Sequence, residues 1–230
     1  MIVGMKGRVR RTSSVRWVAT ASLIAAGTFL TILGYALLRT PDFTATDFLS
    51  GLGAQGAPAA FAYRLALVAA ALSASLLGIS LQLAYSHAAA LGWLLAAAAL
   101  LGTSSLLPCD PGCPIPVVES GGGVVNAAHF FVTAAAFLLL VVAVQRLVIR
   151  CPDRFLCRLS LVAMVAVGPL MAVLAVLLLF ATHSVLTASV ERLVLAGAFG
   201  WLVLTGARLV TASPAAPQSA RPKTRGDVSR

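Results

Sequence analysis

Six long apolar runs, separated by short polar breaks, dominate the chain: roughly Trp17–Leu38, Phe61–Leu83, Ala88–Leu107, Val124–Leu147, Leu159–Phe180 and Leu193–Val210. None carries a charge in its middle. Each is close to the roughly 20 residues that a helix needs to cross the hydrocarbon core. In lipid every backbone amide has to be satisfied within the structure, which leaves helices or a closed barrel. Barrel strands alternate in polarity over about ten residues, whereas these runs are uniformly apolar. The pattern therefore predicts an all-α polytopic membrane protein, a bundle of six transmembrane helices spanning residues 17–210. Residues 1–16 form a basic segment before it. Residues 211–230, rich in Pro, Ser and basic side chains without apolar periodicity, read as a disordered tail. The first run, about 22 residues long, exceeds the apolar core of a secretory signal and no clear small-x-small site closes it, so it reads as a retained span.

Composition agrees: 60% of the residues are hydrophobic, 10% are charged and the mean hydropathy is +0.96. A soluble domain carries about 25% charged residues. The net charge of +10 then becomes a statement about topology. With the N-terminus inside, Lys6, Arg8, Arg10, Arg11, Arg16, Arg146, Arg150, Arg154, Arg158, Arg208, Arg221, Lys223, Arg225 and Arg230 are cytoplasmic, leaving only Arg39, Arg64 and Arg192 outside. Basic residues near short loops collect on the cytoplasmic side, so both termini are expected there, with the basic segments facing anionic lipid headgroups. Nucleic-acid binding is not the expectation, because the basic residues are divided among three segments with no soluble domain behind them. Five of the seven acids (Asp42, Asp47, Asp110, Glu119 and Glu191) fall on the outer face.

That outer face also holds the candidate chemistry. Cys109 and Cys113 flank Asp-Pro-Gly, a turn-forming triplet, in an oxidising location that favours a disulfide over free thiols or metal ligation. Cys151 and Cys157 lie on the cytoplasmic side, where inert thiols or lipidation are the choices. His129 sits about one turn inside the fourth run, His183 just beyond the fifth, and His87 in a short cytoplasmic loop. An ionisable group within a membrane helix is a site candidate, so His129 is the leading one, with Asp110 expected to orient its ring. Ser50, Asp110 and His129 are the candidate catalytic set; His183, Glu191, Arg192 and Arg64 are candidate binding residues. Zinc-bound water or a Ser–His–Asp set would both suit such side chains. No HExxH, GxSxG, phosphate loop or haem-attachment motif is present, so metal and cofactor are left open. In the second run Ala66, Ala70, Ala74 and Gly78 make a smooth stripe that lets another helix approach, and Pro169 interrupts the fifth run.

The strings SGLGAQGAPAAFAYRLAL (Ser50–Leu67), LPCDPGC, His129 in the fourth run and ERLVLAGAFGWLVLTGARL together resemble the bacterial six-helix family catalogued as domain of unknown function 998, over about residues 17–210. The resemblance implies a bacterial cell membrane location and a recurrent pattern that includes Ser50, Asp110, His129 and Arg192. It implies no activity. A looser similarity to seven-helix membrane hydrolases, which include alkaline ceramidases, is weakened by one missing helix and by having only two histidines on the outer face. Without a complete catalytic motif, the expected function is a non-catalytic accessory or small-molecule-binding membrane protein. The alternative is a membrane-embedded enzyme acting on a lipid or isoprenoid through Asp110 and His129.

Overall fold

A computed structural model describes residues 3–85, 88–116, 118–119, 122–150 and 153–211. The expected tail, His87 and Cys151 lie outside these residues. Among them the chain forms six α-helices: α1 (Val3–Leu38), α2 (Ala60–Tyr85), α3 (Ala88–Leu106), α4 (Val124–Arg150), α5 (Arg154–Phe180) and α6 (Val185–Thr211), plus one 3-10 helix at Leu49–Gly53. Five are long and apolar enough to cross a membrane. The remaining one, α3, has 19 residues, about 28 Å at 1.5 Å per residue.

Each helix packs against its neighbours in sequence, and α1 closes the ring against α6. Antiparallel packing follows from the contacts between α1 and α6. Phe29 stacks on Phe199 with ring centroids 3.9 Å apart, while a Cβ on Gly206 would meet Leu23 at 3.0 Å. The start of α1 and the end of α6 therefore share one end of the bundle. The opposite end carries the loops 39–59, 107–123 and 181–184 and is called here the disulfide end.

Lipid removes most of the hydrophobic drive between helices, so small residues and hydroxyls do the joining. The stripe on α2 is buried throughout: Ala66 and Ala70 together with Phe29 of α1, Ala74 in the main apolar core, Gly78 against Leu91 and Leu94 of α3. Ser22 and Ser73 each donate to the other's backbone carbonyl, at 2.8 and 3.0 Å. The indole of Trp201 donates to Ser160 across α5 and α6. Hydroxyls of Thr28, Thr31, Ser80 and Thr103 bond to carbonyls four residues back, which satisfies them inside apolar helices. Hardly any of α5 is buried, although a Cβ on Gly197 of α6 would come within 2.6 Å of Val167.

Three helices begin well before their hydrophobic runs: α1, which takes in the basic segment from Val3, and α5 and α6, whose starts are capped. Asp153 caps α5, its carboxylate accepting from the Phe155 amide, and pairs with Arg208 of α6 at 2.8 Å. Ser184 accepts from the Thr187 amide at the start of α6. Such caps satisfy the first orphan amides of a helix and allow it to start among polar residues. As a result Glu191 and Arg192 lie in the second turn of α6.

Candidate functional site

Along α4, Asn126, His129 and Thr133 recur at helical spacing and face α3 and the loop that follows it. Their polar atoms meet the frayed end of α3, whose last carbonyls have no partners within the helix. The His129 Nδ1 lies 2.7 Å from the Leu107 carbonyl and 3.2 Å from that of Ser104. Two carbonyl partners make this nitrogen the one that carries the proton. The Ser104 hydroxyl bridges His129 Nδ1 and Thr133 Oγ1, at 3.2 and 2.7 Å. Asn126 donates to the Pro114 carbonyl at 2.7 Å. His129 and Asn126 are both buried. The other ring nitrogen of His129, Nε2, makes no hydrogen bond among the described residues and keeps its lone pair for another donor.

The expected Asp110–His129 pair does not form. Asp110 instead accepts from the Gly123 amide at 2.7 Å. That amide immediately precedes α4, where a carboxylate meets unpaired donors and the positive end of the helix dipole. His129 lies more than a turn deeper and finds carbonyls there. Nor do Ser50, Asp110 and His129 hydrogen-bond to one another.

The three loops at this end form an interlocked cap. Cys109 and Cys113 are joined in a disulfide, with Cα atoms 5.1 Å apart across Asp-Pro-Gly. Gly112, with φ of +80°, and Cys113, at +48°, complete the turn. The bridge is buried with Ala54, and Cys109 Sγ, which carries no proton, touches the Ser50 carbonyl at 3.6 Å. The Gln55 amide donates to the Cys109 carbonyl at 2.9 Å. His183, held at a φ of +55°, sets its Nε2 3.1 Å from Glu119 and its ring 5.5 Å from that of Phe48.

Consecutive residues of α6 clasp the first loop. The Glu191 carboxylate accepts from the Leu49 amide at 2.8 Å and also engages that of Ser50, so α6 caps the 3-10 helix. Arg192 donates to the Thr44 and Asp47 carbonyls, each at 3.1 Å, and lies over the Phe43 ring. Arg64, in the second turn of α2, reaches only the Gly53 carbonyl among the described residues, at 3.5 Å, and its charge acts on the His129 ring. The sequence reading missed Asn126, Ser104 and Thr133. The i, i+3, i+7 polar spacing on α4 was the available signal.

Among the described residues no three His, Cys, Asp or Glu side chains are grouped to hold a metal ion. An apolar cavity of about 30 Å³ lies between α4, α5 and α6, lined by Val144, Met164, Val167, Met171, Gly197 and Trp201 among others. It is the size of one or two waters but offers them no polar partners. No family model matches the chain, and no curated protein or solved structure matches it at a significant level.

Proposed function

We propose that this chain is a non-catalytic, small-molecule-binding or accessory protein of a bacterial inner membrane, with both termini cytoplasmic and the disulfide end outside. Kinship with the six-helix family of unknown function 998 is part of the proposal and rests on the strings quoted above. One observation carries the functional reading: the polar groups that a catalyst would use are engaged in holding backbone. Asp110 holds the start of α4, His129 the end of α3, Glu191 the 3-10 helix and Arg192 the preceding turn. A general base has to be within hydrogen-bond reach of its nucleophile, and no such pair joins Ser50, Asp110 and His129. The arrangement suits a rigid outer platform.

The orientation is supported by the fourteen-to-three division of basic residues. Reporter fusions at Gly122 and at the C-terminus are expected to report opposite sides, and a common side would overturn it. The non-catalytic reading is tested by Ser50→Ala, Asp110→Asn and His129→Gln in a strain lacking the chain. Variants that reach the membrane folded are expected to complement. Uniform loss of complementation by folded variants would favour the enzyme.

A further inference from the structure

Nine arginine side chains are described: Arg16, Arg39, Arg64, Arg146, Arg150, Arg154, Arg158, Arg192 and Arg208. Six are exposed and need nothing but water or headgroups; Arg64, Arg192 and Arg208 are half-buried. Arg192 has two carbonyls and an aromatic face. Arg208 has the Asp153 carboxylate and the Phe155 ring. Arg64 differs from both. Among the described residues its sole acceptor is the Gly53 carbonyl at 3.5 Å, and its buried Nε has none. Neither of the two ion pairs among the described residues includes it. The neighbouring titratable group is the His129 ring, which is neutral or cationic and supplies no negative charge.

A guanidinium withdrawn from water without a counter-charge is costly, and within membrane proteins such groups pair. Its position shows where the missing anion comes from. Phe61, Leu65 and Val68, at i−3, i+1 and i+4 from Arg64, are exposed large apolar residues and mark the lipid-facing side of α2. Arg64 stands at the border of that side, four residues after the helix start at Ala60, or about 6 Å in. That is headgroup depth. The two terminal nitrogens of the planar guanidinium can donate to two oxygens of one phosphate.

We propose that Arg64 binds a phosphate group, supplied by a phospholipid headgroup of the adjoining leaflet or by free phosphate. The site gives the ligand class for the binding reading above and rests on that reading.

The test is native mass spectrometry of the full-length protein in detergent, with phosphatidylglycerol, diacylglycerol or inorganic phosphate added. Wild type is expected to retain phosphatidylglycerol and not diacylglycerol. Arg64→Gln is expected to lower retention by about tenfold or more, the scale of a lost charge-assisted pair. Arg39→Gln, at an exposed arginine, is expected to leave it unchanged. Displacement of the lipid by inorganic phosphate assigns the site to free phosphate; resistance to it assigns the site to the headgroup. Wild-type retention by Arg64→Gln, or equal retention of diacylglycerol by wild type, overturns the proposal. If Arg64→Gln fails to accumulate, Arg64→Lys decides: it keeps the charge and loses the fork, so a several-fold fall is expected and unchanged retention overturns the site. Such a failure leaves the non-catalytic reading intact, since that reading falls only with the complementation results.

Discussion

Glu191→Ala removes the acceptor that α6 extends to the first loop. The Leu49 amide, 2.8 Å from the carboxylate, belongs to a residue only 8% exposed, so water does not readily replace the lost oxygen. A hydrogen bond to a charged group contributes about 1.5–3 kcal/mol. Because about 1.4 kcal/mol is a factor of ten in an equilibrium, local opening of the 3-10 helix is expected to become about 10- to 100-fold more frequent. Global stability falls by less, since withdrawing a carboxylate from water has its own cost and alanine relieves it. Hydrogen exchange measured by mass spectrometry on a peptide covering Leu49–Gly53 reads the opening directly. Glu191→Gln, which keeps one acceptor oxygen, is expected to fall between wild type and alanine. Exchange at wild-type rate in a folded Glu191→Ala protein would refute the clasp. So would equal acceleration in the opposite loop around Asp153, which would mark a general loosening.

Three further expectations concern separate parts of the molecule. His129→Leu leaves the Leu107 carbonyl without its side-chain donor and the Ser104 carbonyl with the Leu107 amide alone, a loss of about 0.6–1.7 kcal/mol on the scale of hydrogen bonds between membrane helices; His129→Gln is expected to lose less, and thermal unfolding in detergent that ranks the two in the other order would contradict the seam. At the other end, burial pushes the Asp153 carboxyl up, but the hydrogen bonds from Arg208 and the Phe155 amide outweigh it and hold the group below the usual carboxylate range. The folded value is thus the lower one, so the stabilisation is fully present above about pH 4 and is lost as pH falls through the folded value. Being a partly exposed pair, it is worth at most about 1 kcal/mol; melting temperatures of wild type and Asp153→Asn are expected to converge below pH 4, and a gap that widens there would reverse the sign. Cys109 and Cys113 are expected to resist alkylation in fresh membranes until reduced, and labelling of both without reductant would rule out the bridge.

The helices were legible because hydrophobicity along one run is enough to commit it to the membrane. The buried stripe at Ala66, Ala70, Ala74 and Gly78 was legible for a related reason: four-residue spacing places small residues on one face whatever the partner. The roles of the polar residues were not. Asp110 and His129 are close in sequence terms, yet each took the nearest orphan backbone group in space, an amide for the acid and carbonyls for the imidazole. Glu191 and Arg192 stand just before the sixth apolar run, because a charge usually ends such a run. The Ser184 cap carried the helix past them, and their partners lie more than 140 positions away in the chain. Nothing local encodes such a pairing.

The clasp ties a loop made early in translation to a helix made much later. Loop 39–59 leaves the ribosome long before Glu191 and Arg192 are made. Until α6 inserts, the Leu49 amide and the Thr44 and Asp47 carbonyls lack their final partners. Completion of the disulfide end therefore waits for α6 to be in place. A chain arrested before Val185 keeps this loop unlatched, and one that has inserted α6 does not.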